Sequence, residues 1–294
     1  MITYKNCPVC GSDGISEFLK TKDYFFTKED YTLFKCGNCN TVFTNPRPGD
    51  KDLWKYYKTE KYLSHNAGSL TPVSIIYRFV REINIKKKYK IVTKYIKKGA
   101  ILDIGCGTGE LLKKFSDEGW SATGVEPDKD AGKFAKETYN LDIYDLNQLT
   151  NFDNNLFDVV SMWHVLEHVP RPNDRMQIVK RLLKPEGIAV IAVPNIKSKD
   201  FLHYGKYWAG LDVPRHLYHF DAGSISYLLD KSGFEIIDEI PMKFDALFVS
   251  WLSEKYINST LPFVKGVLKG LFFNLKAKKD GEYSSKIFIS RLKK

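Results

Sequence analysis

The chain has 294 residues, of which 43% are hydrophobic and 27% are charged, and this composition excludes a fibrous chain, a disordered tail and a small disulfide-stabilised protein. The formal net charge of +10 predicts an anionic partner, and nucleic acid, a phosphorylated metabolite and a lipid headgroup all satisfy that requirement. No apolar run approaches the roughly 20 residues of a membrane span, and residues 1–20 lack the apolar core of a signal peptide, so we expect a cytoplasmic protein.

Four of the five cysteines form two C-x-x-C pairs near the N-terminus. Cys7 and Cys10 make the first pair, Cys36 and Cys39 make the second, and 25 residues separate them. Pro, Gly and Asn inside or directly after the pairs favour tight turns, which let both sulfurs of a pair converge on one cation. Two disulfides and a redox-active C-x-x-C are the alternatives, but a reducing compartment disfavours the first and the missing βαβ context disfavours the second. We therefore predict a zinc-ribbon module over residues 1–45 with a structural four-ligand zinc site.

A domain boundary and a helical segment are predicted after this module. Residues 45–50 contain two prolines and a glycine, which are typical of a boundary. From Leu53 to Lys98, apolar residues recur at intervals of mostly three and four among many lysines, which predicts amphipathic helices. We interpret residues 46–98 as a helical linker or cap over the active site. The lysines at 86–88 and 97–98 could contact phosphates, but we interpret them as a solvated helix face, which is the usual role of a lysine run on a helix.

From Ala100 onward, short apolar runs alternate with helical stretches, which predicts an α/β fold with a parallel sheet. The predicted strands are residues 101–104, 121–125, 141–144, 157–163 and 188–193, with two later strands at 234–238 and 286–291. The predicted helices are residues 110–118, 131–139 and 173–183. One domain is expected to cover residues 99–294, with a helical insertion around 246–279.

A glycine-rich loop follows the first predicted strand. The motif Asp-Ile-Gly-Cys-Gly-Thr-Gly begins at Asp103, and its glycines let the backbone approach an anionic ligand at a helix N-terminus. Position 110 is Glu, so the spacing is not the G-x-G-x-x-G of a pyrophosphate-binding loop. Glu126 ends the next strand, 23 positions after Asp103, where a carboxylate can accept hydrogen bonds from both hydroxyls of a ribose. Together these features predict a site for a nucleoside with a compact charged tail.

This loop and three later motifs resemble the successive motifs of class I S-adenosylmethionine-dependent methyltransferases. The later motifs are Val-Glu-Pro at 125–127, Phe-Asp-Val-Val-Ser-Met-Trp-His-Val-Leu-Glu-His-Val at 157–169 and Leu-Leu-Lys-Pro-Glu-Gly at 182–187. The resemblance covers residues 99 to 240 and implies a seven-stranded, Rossmann-like, doubly wound sheet whose last strand is antiparallel. A dinucleotide-binding oxidoreductase is the alternative, but it would leave the later motifs unexplained.

The resemblance implies S-adenosylmethionine as the methyl donor and assigns residues to its parts. The loop amides and Asp103 would hold the methionyl end, Glu126 would bind the ribose, and Asp145 matches the position that commonly contacts the adenine. The complete predicted cofactor-binding set is Asp103, Gly105, Cys106, Gly107, Glu126, Asp145, Trp163 and His164.

Two clusters after the fourth and fifth strands are expected to face one cleft on the acceptor side. Glu167 and His168 belong to the first cluster, and Arg215 and His216 belong to the second. We predict His216 as the general base, because imidazole titrates near neutral pH, and Arg215 as a ligand for an anionic group of the substrate. The alternative for His216 is a structural role, such as capping a helix or satisfying a buried carbonyl. For Glu167 and His168, shaping the methyl pocket and abstracting a proton both remain open.

Three further resemblances bear on the acceptor. The segment Pro-Arg-His-Leu at 214–217 resembles one found in bacterial methyltransferases of surface-polysaccharide and sugar modification. A four-cysteine module followed by this domain resembles the deoxysugar C-methyltransferases. His164, Glu167, His168 and His216 together resemble metal-assisted methyltransferases that use Glu-x-x-Glu-His and a later His, although His164 stands where that pattern has a carboxylate.

These features predict methylation of a sugar or saccharide intermediate at a hydroxyl, with the acceptor free, nucleotide-linked or lipid-linked. The alternatives are an RNA methyltransferase, which the positive charge favours, a deoxysugar C-methyltransferase, and a catalytically idle zinc-containing binding module. The apolar and lysine-rich stretch at 246–279 is expected to lie on a membrane surface, to pack on its own sheet or to contact a second subunit in a homodimer.

Overall fold

The computed structural model describes residues 1–57 and 72–294, with the side chains of the helix that begins at Pro72 described from residue 80 onward. The strands are β1 (Ile15–Lys22), β2 (Asp30–Cys36), β3 (Val42–Thr44), β4 (Ala100–Ile104), β5 (Ser121–Val125), β6 (Asp142–Tyr144), β7 (Phe157–Trp163), β8 (Leu183–Pro194), β9 (Tyr218–His219), β10 (Phe234–Pro241) and β11 (Ser285–Leu292). The α-helices are α1 (Pro72–Tyr95), α2 (Glu110–Asp117), α3 (Lys129–Tyr139), α4 (Gln148–Asn151), α5 (Pro172–Leu182), α6 (Lys199–Tyr204), α7 (Ala222–Lys231), α8 (Asp245–Tyr256) and α9 (Pro262–Ala277). Residues 58–71 of the predicted helical cap lie outside the described residues.

A mixed sheet of seven strands, in the order β10-β11-β8-β7-β4-β5-β6, forms the larger part of the structure. The five strands from β4 to β8 run parallel to one another, whereas β11 is antiparallel to both β8 and β10. Parallel strands covered on both faces carry continuous apolar runs, and the run from Ile188 to Val193 in β8 is buried throughout. The sheet confirms the predicted α/β fold and its antiparallel last strand.

The strand order reverses at β4, which lies between β5 and β7. In an open parallel sheet, the loops that leave such a point on opposite faces open a crevice beyond the carboxyl ends of the strands. The register pairs Asp103 of β4 with Ser161 of β7 at this edge. The glycine-rich loop and the residues after β7 therefore meet at the crevice.

A smaller antiparallel sheet, in the order β1-β2-β3-β9, contains the N-terminal residues. Its fourth strand, β9, comes from a distant part of the chain and pairs His219 with Val42 and Tyr218 with Phe43. The strand β3 ends at Thr44, and the domain boundary at residue 45 stays a prediction. The N-terminal module therefore shares a sheet with the segment that carries His216.

The predicted helical insertion consists of α8 and α9, which pack against each other between β10 and β11. A Cβ atom added at Gly266 would lie 2.3 Å from the Trp251 Cα atom, so glycine is needed for this close approach. The outer surface of α9 exposes apolar side chains such as Leu268 and Leu275. Among the described residues, no helix combines the length and apolar character needed to cross a membrane. Contact of this face with a membrane surface or a second subunit stays a prediction.

Candidate active site

A cavity of about 350 Å³ lies at the crevice beyond β4 and β7. Its lining includes six of the eight predicted cofactor-binding residues, namely Asp103, Gly105, Cys106, Gly107, Trp163 and His164. The remaining lining residues are Val80, Arg81, Asn84, Ile85, Lys88, Thr108, Glu110, Leu111, Met242 and Asp245. The cavity thus collects residues from α1, the glycine-rich loop, the end of β7 and the start of α8.

The glycine-rich loop adopts a backbone that other residues rarely adopt. Gly105 has φ of +74°, and a Cβ atom there would lie 2.5 Å from Val165 Cγ2. Its amide donates a 2.7 Å hydrogen bond to the Val125 carbonyl, which ties the loop to the end of β5. Gly107 has φ of +56°, and its amide donates to Glu126 Oε2 over 2.7 Å. Glycine at position 105 therefore allows the close contact with Val165, and a Cβ atom at Gly107 would meet no atom of the described residues within 4 Å. Because both glycines line the cavity, we call it glycine-floored.

Asp103 and Trp163 place two polar groups at the cavity. Asp103 is buried, accepts a 2.6 Å hydrogen bond from the Ser161 hydroxyl, and has its pKa raised to about 6 by burial. The indole Nε1 of Trp163 is buried and has no hydrogen-bond partner among the described residues. The Lys88 ammonium lies 4.4 Å from the Trp163 ring centroid. A buried donor without a partner and a carboxyl group beside a cavity fit a polar, charged ligand.

Glu126 and Asp145 do not line this cavity. Glu126 lies beside the glycine-rich loop, where its Oε1 accepts from the Asp128 amide over 2.9 Å and burial raises its pKa. Asp145 is exposed beyond β6, and its Oδ1 accepts a 2.8 Å hydrogen bond from the Asn147 amide. The cavity is therefore lined by the residues predicted to hold the methionyl end, whereas Glu126 and Asp145, predicted to contact the ribose and the adenine, lie outside it.

One face of α1 supplies cavity residues that the sequence analysis did not identify. Arg81, Asn84, Ile85 and Lys88 all line the cavity, whereas Lys86 and Lys87 are exposed. The interpretation of the lysine run as a solvated face is therefore correct for the first two lysines and wrong for Lys88. The spacing of three and four residues between Arg81, Ile85 and Lys88 could have indicated that they lie together, because such residues share one helical face.

His164 links the cavity to the acceptor side. It has φ of +58°, a left-handed backbone conformation that is uncommon for a residue with a side chain. Its Nε2 lies 2.9 Å from Asp245 Oδ2, and its Nδ1 lies 3.3 Å from Glu167 Oε1. Burial alone would lower the pKa of His164, but the two carboxylates raise it to about 10. His164 therefore lies between two carboxylates at the cavity wall, and both favour its protonated form.

The two predicted acceptor clusters converge in the structure. One nitrogen or oxygen atom from each of Glu167, His168 and His216 lies within 4.8 Å of the others. The ring centroids of the two histidines are 4.6 Å apart. The Nδ1 atom of His168 lies 3.0 Å from the Arg215 carbonyl oxygen, and that of His216 lies 2.9 Å from the Gly210 carbonyl oxygen. Burial, together with the nearby His216, lowers the pKa of His168 to about 4. The two clusters are therefore neighbours, and the expectation that they face one cleft stays a prediction.

Arg215 is engaged within the protein. Its Nε donates a 2.8 Å hydrogen bond to Asp212 Oδ2, its Nη2 lies 3.8 Å from Asp23 Oδ1, and its guanidinium stacks 4.7 Å from the Phe25 ring centroid. Only 3% of the residue is exposed. This geometry favours a positioning role for Arg215 over the predicted contact with a substrate anion.

The N-terminal module holds the segment around His216 in place. The Thr44 hydroxyl donates to the His216 carbonyl over 3.0 Å, and the Thr44 amide donates to the Leu217 carbonyl over 3.0 Å. The Tyr57 hydroxyl lies 2.9 Å from His168 Nδ1. Thr44 belongs to the N-terminal module and Tyr57 to the segment that follows it, so both can affect the acceptor side without lining the cofactor cavity.

The four cysteines of the module form one cluster, with a sulfur atom of each within 4.8 Å of the others. Cys7 Sγ lies 3.6 Å from Cys39 Sγ. Cys10 Sγ lies 3.5 Å from Cys36 Sγ. Tetrahedral zinc with bonds of about 2.3 Å requires sulfur separations of about 3.8 Å, so the cluster fits such a cation. Gly11 and Asn40, one residue after each pair, have the positive φ values that the predicted turns require.

Comparisons with known proteins were consistent with these features. The sequence model of a family described as "Methyltransferase domain" matches residues 77–239, more than half of the chain. The ubiquinone biosynthesis O-methyltransferase of Glaesserella parasuis serovar 5 (strain SH0165) is 34% identical over 113 residues, which are 35% of this chain and 48% of that protein. The chain thus spans about half the length of this curated relative.

Two solved structures share the fold. Phosphoethanolamine N-methyltransferase 2 of Haemonchus contortus, solved in complex with S-adenosyl-L-methionine, has a TM-score of 0.54 at 15% identity and covers 95% of this chain and 69% of its own. The PH0226 protein of Pyrococcus horikoshii OT3 has a TM-score of 0.52 at 17% identity and covers 81% of this chain and 99% of its own. At these identities the likeness shows the fold alone.

Proposed function

Since the chain belongs to the methyltransferase-domain family of class I S-adenosylmethionine-dependent methyltransferases, we propose that it methylates a hydroxyl of a sugar or saccharide intermediate. The observation that carries this proposal is the adjacency of the glycine-floored cavity and the Glu167-His168-His216 cluster, which His164 connects. One site can thus hold a methyl donor while a neighbouring polar group prepares the acceptor.

The residues of the cavity are suited to the two charges of the methionyl end. Asp103 offers a carboxylate for an ammonium group, and Lys88 offers a cation for a carboxylate. The backbone of Gly105 and Gly107 allows the ligand to approach closely, and Glu126 is the acceptor for ribose hydroxyls. When bound, S-adenosylmethionine supplies an electrophilic methyl carbon on a sulfonium.

The protein's remaining task is to align the acceptor and to remove its proton. The Gly210 carbonyl oxygen beside Nδ1 of His216 accepts a hydrogen bond, so Nε2 carries the lone pair of this neutral ring. We assign proton removal to the Glu167-His168-His216 cluster, with His216 as its principal member. The relative named as a ubiquinone biosynthesis O-methyltransferase supports oxygen as the methyl acceptor. The resemblance of residues 214–217 to sugar-modifying methyltransferases supports a saccharide.

We also propose that the four-cysteine cluster holds a structural zinc ion. Four thiolates within 4.8 Å of one another fill the tetrahedral coordination of zinc and leave no position for a substrate. The cluster therefore stabilises the N-terminal module, and methyl transfer takes place elsewhere.

A labelling experiment tests the acceptor class. The protein is incubated with S-adenosylmethionine that carries a labelled methyl group, together with a mixture of nucleotide-linked sugars or with total RNA. We expect label in the sugar fraction and none in RNA, and we expect acid hydrolysis and mass spectrometry to locate it on an oxygen atom. The Asp103→Ala variant serves as the control without a functional cofactor site. Label in RNA alone would overturn the saccharide proposal, and label on a ring carbon would replace O-methylation with C-methylation.

A further inference from the structure

We propose that the exposed face of α9 binds the surface of an anionic lipid membrane without crossing the membrane. Seven large apolar side chains between Leu261 and Leu275 are each 45–70% exposed. They are Leu261, Phe263, Val264, Leu268, Leu271, Phe272 and Leu275. Single exposed apolar residues are ordinary, but a contiguous set on one helix is typical of an interaction surface.

The helical spacing separates this exposed face from the face that packs on the protein. Four of the exposed residues lie three or four positions apart and form an apolar stripe along α9. The apolar stripe consists of Val264, Leu268, Leu271 and Leu275. The buried residues of α9 have the same spacing, two positions further along the chain. They are Gly266, Gly270, Phe273 and Ala277. Two residues turn an α-helix by about 200°, so the apolar stripe faces away from α8.

Close packing on α8 fixes α9 in this orientation. A Cβ atom at Gly270 would lie 2.6 Å from the Ala246 carbonyl oxygen, and one at Gly266 would lie 2.3 Å from the Trp251 Cα atom. Rotation of α9 about its axis would bring larger side chains to these two positions, where there is no room for them. The apolar stripe therefore stays exposed in the folded chain, and its burial requires a partner.

The charges beside the apolar stripe favour an anionic partner. Residues 257–279 contain five lysines and no aspartate or glutamate. The lysines are Lys265, Lys269, Lys276, Lys278 and Lys279. Among the described residues, only Lys269 of the five forms an ion pair, with Glu254 Oε1 at 2.7 Å. An exposed apolar helix face with lysines beside it is typical of helices that lie in the interface of an anionic bilayer, where lipid phosphates pair with the lysines.

The same charges disfavour a second copy of the chain as the partner. In a symmetric dimer the same surface contributes both sides of the interface. Two copies joined through α9 would therefore bring their lysines together, with no acidic residue of α9 to pair with them. Like charges across an interface are unfavourable. The inference is independent of the proposed acceptor, because no residue of α9 lines the cofactor cavity.

Vesicle flotation tests the lipid surface directly. The full chain is mixed with vesicles of phosphatidylcholine and phosphatidylglycerol, or of phosphatidylcholine alone, and the fraction of protein that floats with the lipid is measured. We expect binding to the anionic vesicles to be about 10-fold tighter or more, and to weaken as salt is added, because salt screens the lysines from the lipid phosphates. No binding to the anionic vesicles, or equal binding to both kinds, would overturn the proposal.

A pair of leucine replacements tests the apolar stripe at constant charge. The double variant Leu268→Ser/Leu275→Ser is expected to bind anionic vesicles about 10-fold more weakly, because it loses apolar area that the membrane would bury. Leu146→Ser/Leu156→Ser is the matched control, since it makes the same change at exposed leucines outside α8 and α9, and its binding should equal that of the wild type. No loss in the first variant, or the same loss in both, would overturn the proposal.

Two further measurements exclude loss of the fold and self-association. Lys278→Gln/Lys279→Gln leaves the packed face of α9 unchanged, and we expect it to bind anionic vesicles about 10-fold more weakly; unchanged binding would contradict the role of the lysines. Sedimentation velocity without lipid should give the same mass for the wild type and for Leu268→Ser/Leu275→Ser. A wild-type dimer that becomes a monomer in this variant would assign the apolar stripe to a second copy and overturn the membrane proposal.

Discussion

The His216→Ala variant is expected to transfer methyl groups about 10² to 10⁴ times more slowly than the wild type, with unchanged affinity for S-adenosylhomocysteine. A positioned group that removes a proton in the transition state contributes a factor of this size. The loss is expected because proton removal needs the Nε2 lone pair of the imidazole. Initial rates with labelled S-adenosylmethionine and the acceptor class identified above give the turnover, and calorimetry gives the affinity.

The matched control for this prediction is His203→Ala. His203 lies on α6, partly exposed, with its Nε2 3.1 Å from the Lys269 ammonium, and it contacts neither the cavity nor the acceptor cluster. Its replacement should leave the rate unchanged. A His216→Ala enzyme with wild-type turnover would show that His216 has only the structural role of bonding the Gly210 carbonyl.

Replacement of Cys39 by serine is expected to remove zinc from the N-terminal module and to lower the melting temperature by on the order of 10 °C. Binding of a structural zinc ion is coupled to folding and is worth roughly 10 kcal/mol or more in small zinc modules. Loss of even several kcal/mol corresponds to a melting shift of that order in a chain of this size. Cys106→Ser is the matched control, because Cys106 lies in the glycine-rich loop outside the cluster, and both zinc content and melting temperature should be retained.

The same Cys39→Ser variant is expected to slow methyl transfer more than it weakens cofactor binding. Thr44 and β3 hold the segment that carries His216, whereas the cofactor cavity has no lining residue from the N-terminal module. Parallel measurements of turnover and S-adenosylhomocysteine affinity test this separation. A variant that keeps its zinc, or one that loses both properties equally, would contradict the proposed arrangement.

The main sheet and the glycine-rich loop of the cavity could be predicted from the sequence, because both depend on local patterns. The buried run from Ile188 to Val193 and the glycines after Asp103 are recognisable within a few residues of sequence. The antiparallel last strand followed from resemblance to a family with a known topology. These features needed no information about contacts between distant residues.

Features that depend on distant contacts were not predictable in the same way. Nothing in the sequence of residues 218–219 indicates that they extend the N-terminal sheet, since that pairing joins them to Val42 and Phe43. The sequence pattern predicts Lys88 to be part of a solvated lysine run, and only the position of α1 beside the cavity shows that Lys88 lines it. The convergence of Glu167 and His216 was expected from the topology of a parallel sheet and not from their spacing, because the chain between them forms α5, β8 and α6.

Titration calorimetry with S-adenosylhomocysteine tests most directly whether the glycine-floored cavity and Glu126 form the cofactor site. The wild type should bind one molecule per chain, and Glu126→Ala should bind about 10- to 100-fold more weakly, because a charged hydrogen-bonding group is worth about 1.5–3 kcal/mol. Glu137→Ala, an exposed glutamate on α3, should bind as the wild type does. Absence of binding heat from the wild type across temperatures, or equal affinity in the Glu126→Ala variant, would contradict this assignment.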